Sequence, residues 1–300
     1  MTDLALSSYW ARGRWERVAD FFRAGVEMGF SCFEVSGLTD RSFYHEIRPG
    51  AFDIAGLHNP APGEMRNTEM RRADVLLTSL NEERRQQAVA IARRCVEVAQ
   101  RYGARVVVLH VGQTGADPEL ENDLKRLFAA GRIDNPEAGV IRQRLAYQRL
   151  YQRQERMEAL RRSLDELVAC ASDRGICLGV ENRPACEVPD WQELGEILAW
   201  YPEAAVGYVH DTGHAHVQQA LSLRPHVDWL HAYGHRLAGV HLSDSVELDV
   251  HQAPGAGDVD WAGLAGLVPA GVLRTVEVYG TVSRETLLAG VEHLKSTGWA

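Results

Sequence analysis

The sequence predicts a (β/α)8 barrel built as a single domain over residues 1–300. Three observations carry that expectation. Short β-branched runs alternate with longer helical patterns about eight times along the chain, as in parallel strands joined by crossover helices. Several runs are apolar throughout, Val106-Val107-Val108-Leu109 being the clearest, and parallel sheets bury both faces of their strands. The competing architecture, a doubly wound open sheet, lacks its usual marks: no G-x-G-x-x-G follows the first strand and no Walker-type loop occurs.

In chain order the strands are expected at Leu4–Tyr9, Ser31–Val35, Phe52–Leu57, Arg105–Leu109, Ile176–Val180, Ala205–Val209, Leu237–Val240 and Thr275–Val278. The helix Asn81–Tyr102 should open on Asn81 as a cap, with Glu82 and Glu83 in its first turn. Its apolar positions Ala88, Ile91, Ala92, Cys95, Val96 and Ala99 recur at helical spacing, and Gly103 ends it. Asp190–Trp200 and Glu285–Leu294 read as helices on the same grounds. One stretch exceeds the minimal repeat. Residues 115–154 read as a helical insertion after the fourth strand, carrying Arg132, Arg142, Arg144, Arg149 and Arg153 among Gln and Tyr residues. A solvated insertion is the expectation, and a lid or oligomer contact the sharper alternative, because βα loops of a barrel lie over its functional face.

Composition narrows the classes. An apolar share of 45% supports a large core, and Lys plus Arg of 32 against Asp plus Glu of 41 gives a net charge of −9. That balance gives no global footprint for nucleic acid. No apolar run is long enough to span a bilayer, and Met1-Thr2-Asp3-Leu4 does not begin a secretory signal, so a cytoplasmic protein is expected. Cys32, Cys95, Cys170, Cys177 and Cys186 are odd in number and contain no C-x-x-C pair, which points to a reducing compartment.

The chemistry is carried by the residues just past each strand, since the C-terminal strand ends form the functional face of a barrel. His58 comes after the third strand, His110 after the fourth and Glu181-Asn182-Arg183-Pro184 after the fifth. His210-Asp211-Thr212-Gly213-His214-Ala215-His216 comes after the sixth, His241-Leu242-Ser243-Asp244 after the seventh, and Glu277 stands at the eighth. Carboxylates converging on one ring repel each other unless a cation lies between them. Mixed imidazole and carboxylate donors suit zinc, manganese, iron or cobalt. The ring therefore reads as a divalent-metal site. Any one of these residues alone has a plain structural reading; the joint pattern over six successive strands is what carries weight. His210 and His216 read as structural or supporting, and Asp244 either orients a ligating histidine or caps its loop.

These motifs resemble the xylose-isomerase-like barrel superfamily, the sugar phosphate isomerase/epimerase group with its endonuclease IV relatives. The likeness runs from about Leu4 to Gly298, with the insertion as the main departure. It implies a metal core of Glu181, Asp211, His241 and Glu277, with Glu181 and Glu277 also taking and returning the substrate proton. It implies that His214 contacts substrate. For a sugar substrate, Arg183 is expected to orient it beside His214, and Trp10 or Tyr279 either walls the sugar or simply packs at the rim. The loop from Asp249 to Trp261 resembles one common in such isomerase/epimerase relatives. Endonuclease IV binds three metals, and His58, His110, His214, Asp249 and His251 stand at the places of its additional ligands. One to three divalent ions (zinc, manganese, magnesium or cobalt) are therefore implied.

Glu181 is followed by Asn-Arg-Pro, as in the sugar-acting members, and Asn59-Pro60-Ala61-Pro62-Gly63-Glu64 lacks the tyrosine of the nuclease's DNA-penetrating loop. The expected function is a divalent-metal-dependent isomerase or epimerase of a small sugar or polyol ketone, working through a metal-stabilised enediolate. The alternatives are an endonuclease IV-like phosphodiester hydrolase, an inosose-type dehydratase, or a non-catalytic barrel with a structural metal. The expected partner is a small carbohydrate, not nucleic acid or membrane, and the resemblance suggests a homo-oligomer.

Overall fold

A computed structural model describes residues 2–36, 39–63 and 65–300. Met1 and Glu64 lie outside the described residues. The barrel strands are β1 (Thr2–Ser7), β2 (Phe30–Val35), β3 (Asp53–His58), β4 (Val106–Leu109), β5 (Cys177–Glu181), β6 (Val206–Asp211), β7 (Leu237–Leu242) and β8 (Leu273–Val276). They close in sequence order, every neighbour parallel, with β8 pairing back onto β1.

The expected strands are all present, with shifted ends. The first stops at Ser7, and Ser8–Ala11 turn instead into a short 3-10 helix whose cap is the Ser7 hydroxyl. The last begins at Leu273 and leaves Glu277 just beyond its end. The helix at Glu82–Tyr102 has Asn81 accepting from Arg84 N and stops at Gly103, whose φ of 79° suits glycine. At Trp191–Trp200 the Asp190 and Glu193 side chains cap each other's backbone reciprocally.

Pleating separates the two faces of each strand. Val107, Leu109, Leu178, Val180 and Tyr208 point outward into the large core shared with the helices. Val106, Val108 and Val209 form a small apolar plug inside the barrel, flanked by Ala238 and Leu273. Residues two beyond the inner row share its face. Thus His110 follows Val108, Asp211 follows Val209, Glu181 follows Gly179, His241 follows Gly239 and Glu277 follows Thr275. The pleat and the register together deliver these side chains to the barrel mouth.

Residues 118–150 form the helices Pro118–Ala129 and Pro136–Leu150, packed on each other through Leu120, Leu124, Leu127, Ala138, Ile141 and Leu145. They dock on Cys186, Val217 and Leu221, beside the β5 and β6 loops. Arg149 fixes them there, 2.6 Å from Glu193. Arg153 and Gln154 already belong to the next helix, Arg153–Ser172.

Candidate metal centre

Glu181, Asp211, His241 and Glu277 each present one donor atom within 4.8 Å of the others, all four buried. His241 Nδ1 lies 3.1 Å from Glu277 Oε2 and 3.4 Å from Glu181 Oε1. Its other nitrogen lies 3.1 Å from Glu34 Oε1 on β2. Glu34 therefore orients the ring and fixes which nitrogen faces the carboxylates. The β3 residue paired with Glu34 is Gly56, where a Cβ would come within 3.1 Å of Glu34 Oε2. Ser7 donates to Glu277 Oε1 at 3.1 Å.

A second group, His58, His110 and Glu181, meets the same distance limit and shares Glu181 with the first. His58 Nδ1 bonds the Asn59 carbonyl at 3.0 Å, leaving Nε2 3.4 Å from Glu181 Oε2; His110 Nε2 is 2.6 Å from that oxygen. His214 is set by its motif. Its backbone N–H donates to Asp211 Oδ1 at 2.8 Å, as a helix cap, and its Nδ1 is 3.1 Å from the Asn182 carbonyl. Between them Gly213 leaves room: a Cβ there would meet Ser243 Oγ at 2.7 Å.

Burial and neighbouring charges shift the titration of the clustered groups. Burial opposes ionisation of Glu181, but His110 and Arg183 hold its carboxyl well below the usual range. Burial likewise opposes ionisation of Glu277, and His241 outweighs it. His241 is pushed well above an ordinary histidine: burial disfavours its charge, but Glu277 and Glu34 win. His58 moves up too, burial being overcome by Glu181, whereas burial and Arg183 bring His110 down to about 3.

The lone pairs decide whether these residues fit a cation. Glu181 Oε1 and Oε2, Asp211 Oδ2, His241 Nδ1 and His110 Nε2 are buried and make no aligned hydrogen bond. Buried polar atoms are seldom left so, and here several converge on one point. Carboxylate oxygens and imidazole nitrogens are borderline donors for a divalent metal. The donor set fits such an ion.

The chain matches the family described as xylose isomerase-like TIM barrel over residues 22–296. It belongs to that family. No curated protein matches it significantly. Among solved structures, 3-keto-D-glucoside 4-epimerase from E. coli superposes with a TM-score of 0.64 at 14% identity, covering 99% of this chain and 100% of that one. The IOLI protein with a binding zinc atom gives 0.65 at 14% identity over 99% of this chain and 96% of that one. The probable 3-DHS dehydratase involved in petrobactin synthesis from Bacillus anthracis gives 0.66 at 13% identity, covering 98% and 99%. At these identities the likeness is one of fold.

Within this family member some expected site residues stand elsewhere. Asp249, expected as an additional ligand, is exposed and accepts from Gln252 at 2.8 Å, and neither ligand group includes it. It sits in a short hairpin, Asp244–Val246 with Asp249–Gln252, whose pairing is bulged; strict alternation would put Asp249 and His251 on one face, and the left-handed backbone of His251, at φ 60°, breaks it. His251 is buried, its ring 5.4 Å from that of His214 and 5.2 Å from Tyr279. Trp10 is not a substrate wall: it is 1% exposed and donates to the Val282 carbonyl. Tyr279 does reach the mouth, beside Tyr9. Asp244 does not orient His241. Its oxygens accept from the backbone of Ser245, Gly255 and Val259 and from the Trp261 indole, which makes it the loop's cap. Arg183 is buried, 3.1 Å from Glu187 Oε2 and 3.7 Å from Glu181 Oε1.

Reading only strand ends misses Glu34 and Ser7, which come from the first two strands. A carboxylate inside an otherwise uncharged strand, Phe30-Ser31-Cys32-Phe33-Glu34-Val35, was the signal for Glu34.

Proposed function

We propose that the protein is a divalent-metal-dependent isomerase or epimerase acting on a small polyhydroxy carbonyl compound. One observation carries the reading: two buried carboxylates, Glu181 and Glu277, face each other across His241 with unpaired lone pairs around them. The sugar epimerases among the structural neighbours support it, and the zinc of the IOLI neighbour supports a metal.

Glu181, Asp211, His241 and Glu277 would hold the ion. When bound, it polarises a carbonyl and stabilises the negative charge that develops on its oxygen. One glutamate takes the proton from the carbon next to that carbonyl, and the other delivers a proton to the same or a neighbouring carbon. Arg183 and His214, 3.3 Å apart, wall the same side and orient substrate hydroxyls. All five cysteines are free thiols, and among the described residues no helix is long and apolar enough to cross a membrane.

A second reading, metal-assisted phosphodiester hydrolysis, draws on the His58–His110–Glu181 group. One experiment separates the two. Metal-loaded protein is incubated with a ketose panel in heavy water, and deuterium at the carbon beside the carbonyl is followed by NMR. Exchange is expected, and Glu277→Gln should slow it more than about a hundredfold. An unchanged rate in that variant removes Glu277 as acid or base. Absence of exchange together with metal-dependent nicking of a duplex containing an abasic site would put hydrolysis first.

A further inference from the structure

A cavity of about 180 Å³ opens onto Glu277, His58 and His110, and Arg12, Arg66, Arg71 and Arg183 border it. We propose that the substrate carries a fixed anion, a phosphate or a carboxylate, which Arg12 and Arg66 bind at the cavity mouth. The inference rests on the isomerase reading for the reacting end of the molecule and adds the chemical class of the other end.

The argument is one of unmatched charge. Glu277 is the sole carboxylate among the described lining residues, and His241 already faces it at 3.1 Å. Arg71 and Arg183 share the single carboxylate of Glu187, at 2.6 and 3.1 Å. Arg12 and Arg66 are exposed and have no acidic side chain within ion-pair reach among the described residues. Arg12 is near enough to Tyr9 and Tyr279 for its charge to oppose the upward push that burial gives both hydroxyls. All this stands in a chain of net charge −9.

A neighbouring cavity gives the contrast. It measures about 240 Å³, lies between the Pro136–Leu150 helix and residues 184–192, and contains none of the four clustered metal-type donors. Its Arg149 is paired with Glu193 and Asp190, and its Arg224 with Asp228. Its third arginine, Arg142, is half-buried and donates to the Ile133 carbonyl at 3.2 Å, so each cation there is engaged by the fold. At the metal-side cavity the two outer guanidiniums have no ion-pair partner among the described residues, and a guanidinium offers paired N–H groups that match phosphate or carboxylate oxygens. A neutral sugar would have no use for them.

The test is calorimetry on manganese-loaded protein with D-fructose, D-fructose 6-phosphate and 5-keto-D-gluconate. One anionic ketose should bind at least about tenfold tighter than D-fructose, the worth of a charged hydrogen-bonded contact, and which of the two does so tells phosphate from carboxylate. The R12Q/R66Q double variant should remove about tenfold of that preference, R12K/R66K should retain part of it, and added salt should weaken it. Equal affinity for all three ketoses, no binding by any, or a preference untouched in R12Q/R66Q overturns the inference. Its failure is distinct from that of the isomerase reading. Arginine-dependent binding without deuterium exchange sinks the chemistry alone; exchange on D-fructose with no anion preference sinks this proposal alone.

Discussion

Strand β6 carries two buried polar clusters, one on each face, and they differ in a single respect. Outward, His226 Nε2 meets His210 Nε2 at 2.9 Å, His210 Nδ1 meets the Tyr208 hydroxyl at 2.6 Å, and Tyr208 donates to Asn182 Oδ1 at 3.0 Å. One placement of protons satisfies that whole chain with both histidines neutral. Inward, Asp211 joins Glu181, His241 and Glu277, and lone pairs remain without partners. Both clusters are buried and both contain histidine. The first is closed by hydrogen bonds and reads as structure; the second leaves several buried donor atoms without an aligned hydrogen bond. Burial of polar residues does not mark a site, whereas several unsatisfied atoms converging on one point do.

That contrast can be broken at several points. The largest effect is expected at Glu34, which holds His241 from behind. Glu34→Ala should weaken metal binding by as much as about a hundredfold, measured by competition with a chelator; unchanged affinity would remove Glu34 from the centre. On the opposite face, Tyr208→Phe should destabilise the fold by about 1.5 kcal/mol in urea titration, because His210 Nδ1 and Asn182 Oδ1 lose their shared partner. It should change metal affinity less than Glu34→Ala does, and the reverse order would erase the distinction between the faces.

The smallest effect is a pH dependence. Burial lowers His226 from 6.5 to about 3, and lowers His210 in the same direction. The folded state therefore binds fewer protons than the unfolded chain below pH 6.5. Their contribution is fully present above that value and is lost as pH falls toward about 3. The urea midpoint should drop between about pH 7 and about pH 4.5, and His226→Gln should flatten the drop. An equal drop in the variant would assign the dependence to other groups.

Much of this was legible in the chain. Continuous apolar runs such as Val106–Leu109 and caps such as Asn81 and Asp190 locate elements because the rules behind them are local. That Glu181, Asp211, His241 and Glu277 come together was legible because barrel topology sends residues at strand ends to one place. Asp249 was not, since strict alternation would put it on the same side as His251, and only the bulge in the hairpin and the left-handed backbone of His251 send the two apart. Trp10 was not, because the first strand ends early and the 3-10 turn carries the indole into the core.

By itself the sequence determined the order of strands and helices and the residue types offered at the barrel mouth, because periodicity and capping act over a few neighbouring residues. Only the tertiary structure decided which lone pairs stay unpaired, that Glu34 rather than Asp244 stands behind His241, and that Arg12 and Arg66 face the same cavity as Glu277. Those are relations between positions up to a barrel's circumference apart, set by register and closure, and no local pattern encodes them.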